Sequence, residues 1–257
     1  MMSALAPPPQ ISVRDLAVGY GDVPILEHLT FDIERGSVFI IMGASGCGKS
    51  TLLRHLIGLA EPIRGEIRYG DRALTGAPPA ERAELLRGGG VLFQGSALWS
   101  ALTVEDNVAL PLEQLTDLGA AEARALARLK LGLVGLAGAE QLYPSQLSGG
   151  MQKRAGLARA LALDPETLFL DEPSAGLDPL SARRLDDLIL GLRDTLGVTV
   201  VIVTHELASI FAIGTTAIFL DAATHSILAR GNPATLRDTS AVPQIRNFLT
   251  RSAEVAP

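Results

Sequence analysis

The stretch Gly43-Ala44-Ser45-Gly46-Cys47-Gly48-Lys49-Ser50-Thr51 stands directly after the apolar run Val38-Phe39-Ile40-Ile41-Met42, and the residues from Thr51 to Leu59 are helix-forming. Strand, glycine loop and helix start in that order form a cradle for polyphosphate. The glycines let the backbone curl so that successive N–H groups and a helix N-terminus point at the phosphates, where the helix dipole adds positive potential. Lys49 is then placed to bridge the β- and γ-phosphates as a point charge, and the Ser50 hydroxyl to ligate Mg²⁺. Gly43, Ala44, Ser45, Gly46, Cys47, Gly48, Lys49, Ser50 and Thr51 are the candidate nucleotide-binding residues, with Lys49 also a candidate catalytic group.

Other chemistry gathers at the ends of apolar runs. Thr167-Leu168-Phe169-Leu170 closes on Asp171-Glu172-Pro173, so two charges emerge beside the phosphate loop, where Mg²⁺ compensates the first and an attacking water can meet the second. Val91-Leu92-Phe93 leads into Gln94, and Val198-Thr199-Val200-Val201-Ile202-Val203-Thr204 leads into His205. Between them lies Leu147-Ser148-Gly149-Gly150-Met151, followed by a helical run to Ala162.

In this order and spacing the segments resemble the ATP-binding subunit of an ABC transporter, over about Ile11 to Gly231. The resemblance implies an α/β fold: a P-loop NTPase with a RecA-like core, an antiparallel β-subdomain and an inserted helical subdomain. It implies ATP and Mg²⁺ as cofactors. Asp171 would organise the metal with Ser50 and Gln94, Glu172 would be the general base, and Gln94 would also meet the lytic water. His205 would be the switch histidine that holds the γ-phosphate and Glu172 in register. Ser148, Gly149 and Gly150 resemble residues that contact the γ-phosphate held by another copy, which leaves one chain with only half of each site. Asp178, at the end of Ser174-Ala175-Gly176-Leu177-Asp178, would cross that dimer interface; capping the helix begun near Pro179 is its other reading, and both can hold. Tyr20 resembles the aromatic residue that stacks on adenine. Met151 stands where glutamine is commoner, a departure that spares the phosphate contacts.

Charge and composition narrow the remaining classes. A formal net charge of −6 argues against a nucleic-acid partner held by a broad basic face. Although hydrophobic residues make up 47% of the 257, no apolar run reaches the roughly eighteen residues that a membrane-spanning helix needs. The transport pathway is therefore expected in other subunits. The lone Cys47 gives no disulfide framework and reads as a loop filler, and the four histidines show no metal-ligand spacing. Residues 1–10 lack a basic start and a long apolar stretch, and read as a disordered lead rather than a targeting segment.

The domain reading places the ATP-binding domain at 11–240, with its helical subdomain at about 95–163, and a C-terminal tail at 241–257. Alternation from Ile11 to Arg35 predicts short antiparallel strands with a turn at Gly21-Asp22, and Ile67-Arg68-Tyr69 predicts another strand. A short polar helix is expected to end at Gly88-Gly89-Gly90, with the core resuming at Val91. Thr103 and Asp106 read as a capping box at the head of a helical region reaching about Gln146. Leu180 to Leu196 reads as a helix between two buried parallel strands, and Pro243 to Arg251 as a short amphipathic helix.

A narrower resemblance rests on the block from Gly90 to Leu112, the Leu147–Met151 signature and the tail Pro243–Leu249. These are similar to the ATPases of the Mla and MCE-associated phospholipid transport systems. That implies a second copy of the chain, transmembrane permease subunits, a periplasmic MCE lipid-binding protein and a small cytoplasmic regulatory subunit as partners, at the cytoplasmic face of the cell membrane. The apolar stretch Ser96 to Leu102 would lie in the groove that receives the permease, with Trp99 either there or in the core. Two other readings stay open: an amino-acid or osmolyte importer ATPase, and a non-transport ABC ATPase acting as a mechanical clamp.

Overall fold

A computed structural model describes residues 8–251. The chain opens with a hairpin of β1 (Ile11–Tyr20) and β2 (Val23–Ile33), then runs through β3 (Val38–Gly43) and α1 (Lys49–Leu56). Next come β4 (Arg64–Tyr69), β5 (Arg72–Ala73), α2 (Pro79–Arg87) and β6 (Gly89–Leu92). Three helices follow, α3 (Val104–Leu115), α4 (Ala120–Leu133) and α5 (Gly149–Ala160), before β7 (Thr167–Asp171). The rest is α6 (Pro179–Leu196), β8 (Thr199–Val203), α7 (Leu207–Ile213), β9 (Thr216–Asp221), β10 (Ser226–Gly231), α8 (Pro233–Thr239) and α9 (Pro243–Thr250).

Two sheets organise these elements. One is antiparallel, in the order β2-β1-β4-β5, and the other runs β10-β9-β3-β8-β7-β6, parallel except where β10 pairs with β9. The larger sheet is buried on both faces, which is why its central strands read as unbroken apolar runs. Side chains on successive residues point to opposite faces. Val38, Ile40 and Met42 therefore join Leu168, Leu170, Val200 and Ile202 in a core shared with the helices. Phe39 and Ile41 join Phe169, Val201 and Val203 in a second core shared with β1, β2 and α1. There the Phe39 ring stacks on Phe31 at 5.5 Å between centroids, fixing the small sheet to the large one.

Helix ends follow local chemistry. Asp178 caps α6 by accepting from the Leu180 and Ser181 N–H groups at 3.0 Å each, Pro179 fills the first turn, and Gly197 ends the helix in the left-handed region at φ 69°. Where β6 meets α5 the backbones come close. A Cβ on Gly90 would lie 2.1 Å from the Ala160 carbonyl oxygen, and one on Gly156 would lie 2.7 Å from Leu92 Cδ1.

Four features differ from expectation. Gly89 and Gly90 open β6 instead of ending α2, because they pair in register with Thr167 and Leu168 of β7, and the contact of Gly90 with Ala160 leaves no room for a side chain there. Thr103 does cap α3, accepting from Asp106 N at 3.1 Å, but the Asp106 carboxylate takes the Thr103 hydroxyl and the Arg124 guanidinium rather than the capping residue's own N–H. Of the expected lead, residues 1–7 lie outside the described residues, whereas Gln10 is buried and extends the small sheet: its N–H donates to Ile33 O and its carbonyl accepts from Gly70 N. The α7–β9–β10–α8 segment completes the large sheet at an edge for which no elements were expected.

Replacing Gly90 by Ala forces β6 away from α5, and the expected cost is about 1–3 kcal/mol of stability. Gly191 lies exposed inside α6 with open space where a Cβ would go, so Gly191→Ala should stabilise by up to ~1 kcal/mol. Denaturant unfolding of the two variants checks the opposite signs.

Candidate nucleotide site

The phosphate loop needs its glycines for stated geometric reasons. Gly43, Gly46 and Gly48 all adopt positive φ, at 147°, 80° and 97°, and a Cβ on Gly43 would meet the Leu220 carbonyl oxygen at 2.4 Å. The loop crest, Ala44, Ser45 and Gly46, is exposed, while Lys49 and Thr51 are buried behind it. The Lys49 ammonium donates to the carbonyls of Gly43 at 2.9 Å and Ala44 at 2.8 Å, curling over the loop it follows. Cys47 is buried behind the loop and burial pushes its thiol up, against the pull of the nearby Lys49 charge. A protonated thiol of this kind is a filler rather than a reactive group.

Strand order brings the other motifs to the loop. With β8 between β3 and β7, the carboxyl ends of all three meet at one edge. Ser50 Oγ faces Asp171 Oδ1 at 3.4 Å. Burial and the neighbouring Glu172 charge raise the Asp171 carboxyl, and Ser50, Arg54 and Lys153 pull it back. Glu172 takes the left-handed conformation at φ 48°, rare for a residue with a side chain, and is held there by its N–H donating to Val203 O at 2.8 Å. One carboxylate oxygen, Oε1, pairs with His205 Nδ1 at 2.8 Å; the other, Oε2, is buried and has no hydrogen-bond partner.

Gly43 to Gly46, Gly48 to Thr51, Glu172 and His205 line one cavity of about 790 Å³, together with Tyr20, Ile25, Gln94, Leu207, Phe248 and Arg251, and Asp171 stands behind Ser50. At one rim the Tyr20 ring is 59% exposed, its hydroxyl accepting from Arg54 at 3.3 Å, so a flat aromatic face is open to a stacked base. The donor set formed by the Ser50 hydroxyl, the Asp171 carboxylate and the Gln94 side-chain amide is all oxygen, which suits a hard cation such as Mg²⁺. Glu172 lines the same cavity, with its Oε2 buried and accepting no hydrogen bond.

Ser148, Gly149 and Gly150 are not among the residues lining that cavity. Ser148 caps α5, accepting from Met151 N at 3.3 Å, and with Gly150 it lines a separate shallow depression beside Leu177 and Ser181. Asp178 lies exposed between those last two residues, its carboxyl held below the usual range by the Ser181 and Leu180 donors. One chain thus assembles the loop, Gln94, Asp171, Glu172 and His205, and keeps the signature residues apart from them.

Sequence reasoning missed two groups. Phe248 and Arg251 reach the cavity because α9 docks through Ile245 and Leu249 and sets the Phe248 ring edge-on to Phe219 at 5.1 Å; Arg251 faces Glu206 at 3.6 Å. The four-residue spacing of Ile245 and Leu249 signals docking but not against what. Lys153 is buried, and its ammonium donates to the carbonyls of Gln94 and Glu172. Its four-residue spacing from the buried Leu157 was the available signal.

Residues 26–175 match the family described as ABC transporter. The chain is 42% identical over 197 residues to the probable ribonucleotide transport ATP-binding protein mkl of Mycobacterium tuberculosis, covering 77% of this chain but only 55% of that protein, so it spans little more than half of that relative's length. It is 37% identical over 244 residues, 95% of this chain and 90% of the relative, to the intermembrane phospholipid transport system ATP-binding protein MlaF of Escherichia coli. Among solved structures, the dimeric post-hydrolysis state of the ATP-binding cassette MJ0796 bound to ADP and Pi matches with a TM-score of 0.77 and 29% identity, over 86% of this chain and 98% of that one. CbiO1 from Clostridium perfringens, part of the ABC transporter complex cbiONQ, matches with a TM-score of 0.82 and 27% identity, over 95% and 97%. The chain belongs to the ABC transporter family, as an ATP-binding cassette.

Proposed function

We propose that this chain is the ATP-hydrolysing subunit of a transporter that moves phospholipid between the cytoplasmic membrane and the cell envelope. The observation that carries hydrolysis is the Glu172 carboxylate, with one oxygen fixed by His205 and the other buried and unpaired in the cavity wall. A water held by the Glu172 carboxylate passes its proton to that group as it attacks the γ-phosphorus of ATP, and the bond to the β–γ bridging oxygen breaks to give ADP and phosphate. His205 keeps the carboxylate aimed, Lys49 exchanges its loop carbonyls for phosphate oxygens, and Tyr20 stacks on adenine. Ser50, Gln94 and Asp171 would hold Mg²⁺, which when bound supplies neutralising charge at the phosphates.

In this reading the cassette is residues 11–240, its moving arm is about 95–163, and the segment 241–257 is a tail. The arm offers Ser148, Gly149 and Gly150, and the loop after β7 offers Asp178, to nucleotide held by a second copy, so ATP joins two chains head to tail and hydrolysis releases them. A groove of about 720 Å³ lined by Phe93, Trp99, Leu110, Pro111 and Leu115 is the docking place for a permease. Trp99 is 62% exposed, which removes it from the core, and the buried Asn107 holds its loop by accepting from Trp99 N and donating to the carbonyls of Trp99, Leu102 and Thr103.

The phospholipid cargo is supported by similarity to MlaF over most of both chains. A periplasmic MCE lipid-binding protein, a small regulatory subunit and a peripheral place on the cytoplasmic face of the membrane belong to the same reading. No helix among the described residues is long and apolar enough to cross a membrane.

Glu172→Gln should keep ATP affinity while lowering turnover by ~100-fold or more, since the amide cannot take the proton. Steady-state hydrolysis and nucleotide binding on the assembled transporter check this, and near-normal turnover would remove Glu172 as the base. Reconstitution with the native permease and lipid-handling protein tests the cargo. ATP-dependent phospholipid transfer is expected, with Trp99→Ala lowering transfer more than ATP affinity. Transfer of a nucleotide, amino acid or osmolyte, with no lipid movement, would contradict the cargo and leave the ATPase standing.

A further inference from the structure

The α5 helix does more than present Ser148 at its start. Three residues on one of its faces, Lys153, Gly156 and Arg159, run along the segment that begins at Gln94. The Arg159 guanidinium donates to the carbonyls of Ser96 at 2.9 Å and Ala97 at 2.6 Å, two consecutive non-glycine residues held at φ 60° and 49°. Gly156 allows this approach, since a Cβ there would already be 3.2 Å from Ser96 O. Lys153 reaches furthest in. Its ammonium donates to Gln94 O and, at 3.2 Å, to Glu172 O.

A buried ammonium is costly unless it is paired and hydrogen-bonded. Here burial lowers its pKa while the charges of Asp171 and Glu172 oppose that shift, so Lys153 is the cation behind a pair of adjacent carboxylates. Glu172 is meanwhile gripped at both ends of its residue, its N–H on Val203 and its carbonyl on Lys153. That grip fixes a left-handed backbone and with it the direction of the carboxylate.

We infer that Lys153 is a positioning residue for hydrolysis: one buried ammonium on the signature helix holds the carbonyls of Gln94 and Glu172, and with them the backbones of the two groups that meet the water. The inference rests on Glu172 as the base. Binding of ATP to the phosphate loop makes no use of this tie. Lys153 therefore affects turnover and not affinity.

The test is hydrolysis by the assembled transporter carrying Lys153→Gln, Lys153→Arg, Glu172→Gln or Lys153→Gln with Glu172→Gln. Lys153→Gln should lower kcat ~20-fold or more with KM and ATP affinity within about threefold, and Lys153→Arg, which keeps the charge, should recover to within about fivefold of the wild type. In the double variant the lysine change should cost less than about twofold beyond Glu172→Gln alone, because both act on the same step. Normal kcat for Lys153→Gln, a parallel loss of affinity, or full additivity with Glu172→Gln would overturn the inference. Normal turnover by Glu172→Gln would instead overturn the base assignment, and is read separately. Should Lys153→Gln lose its cooperative melting transition, amide hydrogen exchange on the wild-type transporter decides. Residues 95–102 and 151–159 gaining protection together on Mg-ATP binding support the tie, and independent responses refute it.

Discussion

The backbone ladder that pins β8 between β3 and β7 is the constraint on which the site depends. Ile41 and Asp171 both register with Val203, and the ladder runs one step beyond the strands on each side: Thr204 N donates to Ile41 O and Glu172 N to Val203 O. Three segments, the first more than a hundred residues before the other two, are thereby stopped at one level. The phosphate loop leaves from the first, Asp171 and Glu172 from the second, and His205 from the third. Binding at the carboxyl ends of parallel strands is the general expectation for an open α/β sheet, and here the ladder also sets the Glu172 backbone in a conformation that aims its carboxylate at His205.

What the sequence makes legible is whatever a short stretch of chain decides by itself. The loop from Gly43 to Thr51 is legible because its positive-φ positions require glycine, and α6 because Asp178, Pro179 and Gly197 punctuate it. The α7–β9–β10–α8 segment is not, since a four-residue apolar run such as Ala217 to Leu220 fits a strand or part of a buried helix equally well. Glycines at 89 and 90 read as a helix stop, and only their pairing with Thr167 and Leu168 and the Ala160 carbonyl pressed against Gly90 reveal a strand that needs glycine there. Phe248, Arg251 and Lys153 depend on partners from distant segments, so no local pattern marks them as part of the site. A lysine in an amphipathic helix reads as a solvated charge until its spacing with Leu157 is noticed.

The electrostatics of the site follow from the same convergence. Bringing Asp171 and Glu172 to one strand end raises the Asp171 carboxyl through burial and mutual repulsion, and the cations available to offset this approach from different sides, Lys153 from the helical arm and Arg54 from α1. A divalent cation held by Ser50 and Asp171, as proposed above, would relieve the same repulsion.

The separation of the signature residues from the phosphate loop is the central claim: one chain holds two complementary halves of a site and completes neither alone. It is tested most directly by mixing two inactive variants, Lys49→Ala, which spoils the phosphate loop, and Ser148→Arg, which spoils the signature. In a mixed dimer one composite site carries both defects and the other carries none. The account predicts that the mixture regains Mg-ATP hydrolysis that neither variant has, in proportion to the fraction of mixed dimers. A mixture as inactive as its components would contradict it and place Ser148 in the service of its own chain.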